Sequence, residues 1–433
     1  MNAPHFLDSR YFPNVTPGAF YSPHDLAVHL PGQQMDAARI RDDVYRHEWT
    51  LQHLPILIHE YQHSVDHLGT VAGRRLLDTL VAGLVGLSKK LQGDISGLPE
   101  LVAYHDHQRL FYRKAYFTEI LPGYRPKGPG RPKWSWGSSI GTGFDHLARP
   151  NEQEPIIFAR FTDEEQQCLV ARQPLTAAAL FETRAVFAEL DHEARHVAQL
   201  GEGSPEWDRF NKRQQDMFYD HKLTIYSAPA HIISSRCAVS DPIDAYRLAA
   251  KVAGVVLNLV PAIELDPELP NRINPNAAAR AQQLQAIRDP GYLFAAIAFL
   301  APRFEGDDEA WLSTSLANVG LPPVIEILDQ AQQFLTYPTA SKSDELWSIY
   351  MQAVAAGVGN FMRLRESFGL LDFQQMSKLG TVQGPMALPH VFLAGDQVAV
   401  SQIPIVDIKS QEVLVNASTL LHEHLDELLG ACR

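Results

Sequence analysis

The segment "LPILIHEYQHSVDHLGT", residues 54–70, decides the fold class that this chain is expected to have. Its histidines recur every four residues behind an apolar start, a spacing that places them on one face of an α-helix. Gly69 is typical of a helix end, and Thr70 can cap a second helix, "VAGRRLLDTLVAGLVGLSKKLQ", that ends at Gly93. The sequence therefore predicts helices joined by short, well-marked breaks in this part of the chain.

Further helix signals follow along the chain. A predicted helix begins after Thr176 and ends at Gly201, and another begins at Ser204 and continues to about Tyr226. Later segments, "YLFAAIAFLA" and "ELWSIYMQAVAAGVGNFMRL", also predict helices. The chain is therefore expected to be predominantly α with a small β component (α+β).

Strand signals are few. "IIFARF" and "QCLVAR", within 156–172, predict two short strands in a hairpin, and "HVFLAGDQVAVSQIPIV", 390–406, predicts another hairpin. The glycine-rich "GSSIGTGF", 137–144, lacks the Gly-Lys-Ser/Thr ending of a phosphate-binding loop and is expected to form a loop over the site. The basic stretch "YRPKGPGRPKWSW", 124–136, is expected to be a solvated loop.

Composition limits the classes of function. The chain of 433 residues is 45% hydrophobic and 20% charged, which is typical of a folded protein. Its formal net charge of -13 argues against nucleic acid as a partner, because phosphate binding requires a broad basic surface.

The sequence also bears on location. The start, residues 1–14, lacks the basic and apolar regions of a secretion signal, and the most apolar window, residues 80–87, is too short to span a bilayer. Cys168, Cys237 and Cys432 form no Cys-x-x-Cys pair, which excludes a cysteine zinc cluster and suits a reducing compartment. A cytoplasmic protein without a membrane partner is expected.

The histidine-rich helix contains a His-Glu-x-x-His pattern. His59 and His63 lie four residues apart, which puts their Cβ atoms about 5–6 Å apart on one helix face, so both imidazoles can point at one metal ion. Glu60 is turned about 100° away, too far round to bind the ion easily but close enough to take a proton from a coordinated water. His67 lies one turn further along the same helix face. His67 and Asp66 are expected to orient the ligand imidazoles.

Over about ten residues this pattern resembles the metal-binding helix of the zincin metallopeptidases. The resemblance implies a zincin-like helical core with zinc bound by His59 and His63 and with Glu60 as the general base. It also implies a zinc-dependent hydrolase that cleaves a peptide or amide bond in a peptide or small amide-containing substrate.

A second His-Glu-x-x-His match occurs in "ELDHEARHVAQL" at His192 and His196. Arg195 lies beside one of these histidines, and Glu189 and Asp191 crowd the approach. Because neighbouring positive charge opposes a cation, this pair is not expected to be the principal metal site.

In gluzincins, the zincins with a glutamate as third ligand, that glutamate comes from a later helix. "LFETRAVFAEL" offers Glu182, although only Glu-x-x-Ala matches the gluzincin pattern. At 100° per residue, Glu182, Glu189, Glu193 and His196 lie within roughly 60° of one another on one helix. Glu182 has the most apolar neighbours of the four and is the predicted third ligand.

Two tyrosines are candidates for stabilising an oxyanion. In "DMFYDHKLTIYSAPAH", Tyr219 and Tyr226 are seven residues apart on one predicted helix face, with His221 between them. Zincins commonly place a Tyr or His opposite the metal, and core packing is the alternative role for such a pair.

Three other functions remain open. Two histidines and one carboxylate also form the facial triad of non-haem iron oxygenases, in which Arg184 or Arg195 could bind an oxo-acid. A di-iron carboxylate bundle uses Glu-x-x-His pairs, and a binding or scaffold protein would hold a purely structural metal. The chain has three such pairs: Glu60 with His63, Glu189 with His192, and Glu193 with His196. Zinc is the expected metal, with iron as the alternative.

The best candidate for a domain boundary is "PAIELDPELPNRINPN", 261–276, where Pro and Asn interrupt every pattern. The sequence predicts a metal-binding catalytic region, 1–262, and a helical C-terminal region, 277–433, packed on it.

Overall fold

The structure is a computed structural model that describes most of the chain. The described residues are 18–31, 54–112, 119–127, 132–144, 149–201, 203–336, 345–369, 376–382, 384–394 and 397–431. They form two compact units, the first drawn from Thr16–Phe111 and Asp329–Arg433 and the second from Tyr112–Leu328. Each unit is mainly helical and contains one four-stranded sheet, so the predicted fold class is confirmed.

The elements are numbered in chain order. The helices are α1 (Leu54–Gly69), α2 (Val71–Leu91), α3 (Leu98–Tyr112), α4 (Ala177–Gln199), α5 (Pro205–Phe218), α6 (Thr224–Cys237), α7 (Pro242–Leu257), α8 (Leu269–Ile273), α9 (Ala278–Ala286), α10 (Pro290–Leu300), α11 (Asp308–Asn318), α12 (Val324–Thr336), α13 (Glu345–Phe368) and α14 (Ile408–Ala431). The strands are β1 (Phe20–Ser22), β2 (Ala27–Leu30), β3 (Glu119–Ile120), β4 (Trp134–Phe144), β5 (Pro150–Asp163), β6 (Cys168–Pro174), β7 (Val391–Leu393) and β8 (Val398–Ala399). Within the described residues, no helix has the length and apolar character that crossing a membrane requires.

The predicted helix ends are confirmed where a cap residue marks them. The side chains of Thr70, Thr176 and Ser204 each accept a hydrogen bond from the backbone N–H three residues later, at 3.0, 3.1 and 3.2 Å. Beyond the ends of α2 and α4, Gly93 and Gly201 adopt φ values of 86° and 92°, a conformation that glycine adopts without steric cost.

The sheet of the first unit has the strand order β1-β2-β7-β8. β1 and β2 form one antiparallel hairpin, the predicted hairpin of β7 and β8 is confirmed, and β2 pairs with β7 in parallel. His29 is the cross-strand partner of both Phe20 and Phe392, and its ring stacks on theirs with centroids 4.8 and 5.2 Å apart. This sheet therefore joins segments from opposite ends of the sequence.

The two units do not coincide with the division predicted at 261–276, which lies inside the second unit. Residues after 329 belong with 18–111, because β7 pairs with β2 and α13 packs on α1 and α2. α7 ends at Leu257, shortly before 261–276, but α10 returns to pack against α7 and α4 in the same core.

The sheet of the second unit has the order β3-β6-β5-β4 and includes the predicted β5–β6 hairpin. The prediction of a loop at 137–144 is wrong, because this segment belongs to β4, which pairs with β5 along its length. Gly141 provides space for a neighbouring ring, because a Cβ there would lie 2.9 Å from Cε2 of Phe158 on β5. In the basic stretch, residues 134–136 also belong to β4, and 128–131 lie outside the described residues.

The prediction of one helix from Ser204 to about Tyr226 is also wrong, because α5 ends at Phe218 and α6 begins at Thr224. Asp220 closes the turn between them. Its carbonyl oxygen accepts from the N–H three residues later at 3.0 Å, and its carboxylate accepts from the N–H two residues later at 2.9 Å. Tyr219 therefore lies in a turn, and the two tyrosines do not share one helix face.

Candidate metal site

The helix that carries the first His-Glu-x-x-His pattern is held closely by its neighbours in the first unit. α1 packs against α2, α13 and β1. At Gly357 of α13 a Cβ would lie 2.4 Å from Cβ of Leu68, and at Gly73 of α2 it would lie 2.3 Å from the carbonyl oxygen of Asp66. Glycine at both positions lets the backbones approach, which fixes where α1 presents its side chains.

The two predicted histidine ligands converge. Nε2 of His59 and Nε2 of His63 lie 3.2 Å apart, and the two rings are nearly perpendicular at 76°. Two nitrogens that bind one tetrahedral ion at about 2.0–2.1 Å are separated by ~3.3 Å, so the observed spacing fits a shared metal ion. The same distance suits a hydrogen bond between two neutral imidazoles.

The surroundings on α1 favour a cation. The helix contains no Lys or Arg, and its formal charges are the carboxylates of Glu60 and Asp66. Glu60 is only 4% exposed although it directly follows the first histidine, so a buried carboxylate adjoins the converging nitrogens along the chain. A divalent ion bound by the two imidazoles would balance the charge of such a buried carboxylate.

The two residues predicted to orient the ligands have identified contacts on α1. Nδ1 of His67 donates to the backbone carbonyl of His63 at 2.8 Å, and the two rings stand 6.5 Å apart. The carboxylate of Asp66 accepts from Nε2 of Gln62 at 3.0 Å, and Oε1 of Gln62 accepts from the backbone N–H of Met376 at 3.0 Å. These bonds hold the backbone and the far side of α1 in place.

The predicted third ligand lies on α4 in the second unit. Glu182 is 6% exposed, and it is the only buried member of the polar stripe predicted on this helix. Glu189 and His196 are partly exposed, and Glu193 forms an ion pair with Arg213 of α5. The stripe therefore runs from a buried carboxylate to an exposed end of the helix.

The second His-Glu-x-x-His match has charged partners around it. Arg195 donates to the carboxylate of Asp191 at 2.9 Å, and Arg213 engages Glu193, which is the glutamate of the motif itself. Guanidinium groups therefore pair with the two carboxylates that flank His192 in the sequence, and their positive charge opposes a cation there. The pairing of Glu193 also occupies a carboxylate that the di-iron alternative requires.

Arg184, one candidate for binding an oxo-acid, faces α7. It is 1% exposed, and its Nη1 donates to the carbonyl oxygen of Ala250 at 3.3 Å. A Cβ at Gly254 would lie 2.3 Å from this nitrogen, so the glycine makes room for the guanidinium. Because Arg184 is two residues beyond Glu182, it lies about 200° around α4 from it.

Tyr219 belongs to an aromatic cluster that the sequence does not predict. Its ring centroid lies 5.6 Å from Trp134 on β4 and 5.5 Å from His231 on α6. Trp134 donates to the hydroxyl of Tyr124 at 2.9 Å, which donates to Asp163 at 2.8 Å. Burial raises the pKa of Tyr124 to about 12, so this hydroxyl stays a donor.

No sequence signal marks this cluster, because its residues come from separate strands, helices and turns. The backbone carbonyl of Tyr226 accepts from the Thr183 hydroxyl at 3.3 Å. The structure thus gives the two tyrosines different surroundings, with Tyr219 in the aromatic cluster and Tyr226 at the start of α6.

The predicted histidine ligands and the predicted base lie together on α1, and the predicted third ligand and both tyrosines belong to the second unit. Comparisons of this chain with protein-family models, with curated proteins and with solved structures found no match.

Proposed function

We propose that this chain is a zinc-dependent hydrolase that cleaves a peptide or amide bond. The observation that carries the proposal is the 3.2 Å separation of Nε2 of His59 and Nε2 of His63, beside the buried Glu60 on a helix without basic residues. This arrangement supplies two ligands for one ion and a base next to them, which is what metal-assisted hydrolysis requires.

In this proposal Glu182 completes the ligand set with His59 and His63. The metal, when bound, lowers the pKa of a coordinated water towards 7 and polarises a carbonyl group. Two imidazoles and a carboxylate suit zinc and also suit iron, so iron is the alternative cofactor.

Glu60 is the proposed general base. Its carboxylate takes the proton of the attacking water and delivers it to the leaving amine, a role that requires a carboxylate held near the reacting atoms. Tyr219 and Tyr226 remain the proposed donors to the oxyanion that forms at the carbonyl oxygen. The proposed substrate is a peptide or a small amide-containing molecule, and the proposed location is the cytoplasm.

The first test separates an enzyme from a metal-binding scaffold. Protein purified without added metal should contain about one equivalent of zinc by elemental analysis, since one pair of ligands converges on one point. Glu60→Gln should retain that zinc and lose hydrolysis of labelled casein and of acyl-peptide substrates by roughly 10²–10⁴-fold, because the proton acceptor is gone.

Stoichiometric iron with little zinc would favour the oxygenase function over the hydrolase function. Two irons per chain would indicate a di-iron carboxylate protein. Wild-type turnover that persists unchanged in Glu60→Gln would exclude Glu60 as the base.

The second test compares the two His-Glu-x-x-His segments. His59→Ala or His63→Ala should abolish tight zinc binding, because each leaves too few ligands for the ion. His192→Ala, the matched change in the other motif, should leave zinc content nearly unchanged, because guanidinium groups pair with the carboxylates on either side of it in the sequence. If His192→Ala loses zinc and His63→Ala keeps it, the metal site lies on α4 and not on α1.

A further inference from the structure

The pairing of β4 with β5 shows which backbone groups of β4 face away from the sheet. The carbonyl oxygen of Lys133 accepts from the backbone N–H of Glu164 at 2.8 Å, which makes these two residues a hydrogen-bonded antiparallel pair. Since such pairs alternate, odd-numbered residues of β4 direct their backbone groups to β5, and even-numbered residues direct theirs outward. The register is continuous from Trp134 to Thr142, so this alternation holds along that stretch.

Two further observations agree with this assignment. The carbonyl oxygen of Ile140, an even residue, accepts from Arg280 of α9 at 3.3 Å instead of from β5. Thr142, also even, lies opposite Pro155, which has no N–H to donate. β4 is the last strand of its sheet within the described residues, so the backbone groups of Trp136 and Ser138 lie on an open edge.

This edge lacks the usual protection against strand pairing. The sequence of β4, "WSWGSSIGTGF", has no charged residue and no proline over 11 residues, in a chain whose net charge is -13. Natural sheets commonly block long edges with charges, prolines or bulges. In β4 the contact that blocks the edge is the hydrogen bond from Arg280 to the carbonyl oxygen of Ile140. The register between β4 and β5 shifts only after Thr142.

Beside the edge lies a surface patch of the residue types that dominate protein interfaces. The guanidinium of Arg236 on α6 lies 3.8 Å from the ring centroid of Phe299 and 5.9 Å from that of Trp136. Phe299 is 38% exposed, a large value for a phenylalanine at the end of an apolar helix.

We propose that the open edge of β4 pairs antiparallel with β4 of a second copy of this chain, around a two-fold axis at Ser138. Outward residues then meet outward residues: Trp136 lies opposite Ile140 of the partner copy, and the two Ser138 residues face each other. No charged residues of β4 oppose each other, and an aromatic ring faces an aliphatic side chain, which favours cross-strand pairing. Because the chain is acidic overall, a strand without carboxylates is where two copies approach with least repulsion.

The test is the oligomeric state of the full chain, measured by sedimentation velocity across a range of concentrations. Wild type should sediment as a dimer with twice the 48.3 kDa mass of one chain. Ser138→Lys and Ser138→Glu should each raise the dissociation constant by roughly tenfold or more, because each puts like charges opposite each other at the axis. An equimolar mixture of the two variants should restore the dimer, because Lys then faces Glu.

Two controls sharpen this test. Ser313→Lys makes the same change at an exposed position of α11 and should leave the dimer intact. Arg280→Met should tighten the dimer, because methionine has no N–H to compete for the carbonyl oxygen of Ile140. Circular dichroism, measured on each variant, confirms that the fold is retained.

A wild type that stays monomeric at all concentrations would overturn the proposal. So would a dimer that neither Ser138 variant weakens, or two Ser138 variants whose mixture remains monomeric. None of these results bears on the hydrolase proposal, which is decided by metal content and by Glu60→Gln.

Discussion

At the scale of single residues, the most specific proposal is that Glu182 is the third metal ligand. Glu189, Glu193 and His196 lie on the same face of α4 and are not expected to bind the ion. Glu182→Gln keeps the size of the side chain and removes its charge. If Glu182 is a ligand, zinc affinity should fall by more than roughly 100-fold, because losing even a residue that only supports a ligand costs 10–100-fold. Titration with a competing chelator measures the affinity, and circular dichroism reports whether the fold survives.

Glu189→Gln is the matched control, two turns further along the same line and partly exposed. It should change zinc affinity little, because substitutions of exposed residues usually change stability by no more than about 0.5 kcal/mol. A greater loss of zinc in Glu189→Gln than in Glu182→Gln would show that the wrong carboxylate had been chosen.

The convergence of His59 and His63 could be predicted from sequence, because residues four apart on a helix always share a face. The pairing of Glu193 with Arg213 could not, because these residues lie on different helices and only the fold brings them together. The same holds for the aromatic cluster around Trp134. Local spacing predicts local chemistry, and contacts between elements require the tertiary structure.

At the scale of elements, the helix ends with a cap residue were predicted correctly and the glycine-rich strand was not. A cap is a local hydrogen bond whose donor lies three residues away, so sequence spacing suffices to find it. β4 is rich in small and aromatic residues, and the need for glycine at Gly141 is apparent only from the ring of Phe158 on the neighbouring strand. The break between α5 and α6 was missed because one aspartate, Asp220, interrupts an otherwise continuous helical pattern.

The close contact between α13 and α1 gives a prediction at this scale. Gly357→Ala should destabilise the first unit by about 1–3 kcal/mol, because its Cβ would clash with the backbone and Cβ of Leu68. The displaced α1 should also bind zinc more weakly, because its two histidines are held by this packing. Urea denaturation and chelator titration measure the two effects.

Gly359→Ala on the same helix is the matched control, since its Cβ would meet no atom within 4 Å. It should stabilise the protein by roughly 0.5–1 kcal/mol through the helix propensity of alanine. Equal destabilisation by both substitutions would show that α13 and α1 do not depend on close approach at Gly357.

At the scale of the whole molecule, the sequence predicted the class of fold but placed the division of the chain elsewhere. Pro and Asn at 261–276 follow the end of α7, yet a helix end is not a domain boundary when a later helix, α10, returns to the same core. The parallel pairing of β2 with β7 spans most of the chain length, and three- and four-residue strands carry too little periodicity to predict it.

Both units contain a histidine whose pKa is lowered in the folded state, which gives a prediction for stability against pH. Burial lowers the pKa of His231 in the second unit to about 4, and burial together with Arg75 lowers the pKa of His107 in the first unit to about 4. The unfolded chain binds a proton at each residue below about pH 6.5, whereas the folded chain does so only near pH 4. The unfolded state therefore binds more protons in this window, so the stability is present above pH 6.5 and is lost as the pH falls towards 4.

For His231, this difference lowers the free energy of unfolding by ~2 kcal/mol between pH 8 and pH 5. His231→Gln replaces the imidazole with a neutral side chain that can still donate to the carbonyl oxygen of Phe218, a bond that His231 makes at 2.6 Å. Urea denaturation of this variant should show a smaller loss of stability from pH 8 to pH 5 than wild type. His107→Gln should reduce the loss by a separate amount, since its histidine lies in the other unit. If His231→Gln loses as much stability as wild type over this range, then His231 is not a buried neutral group and the aromatic cluster around it is open to water.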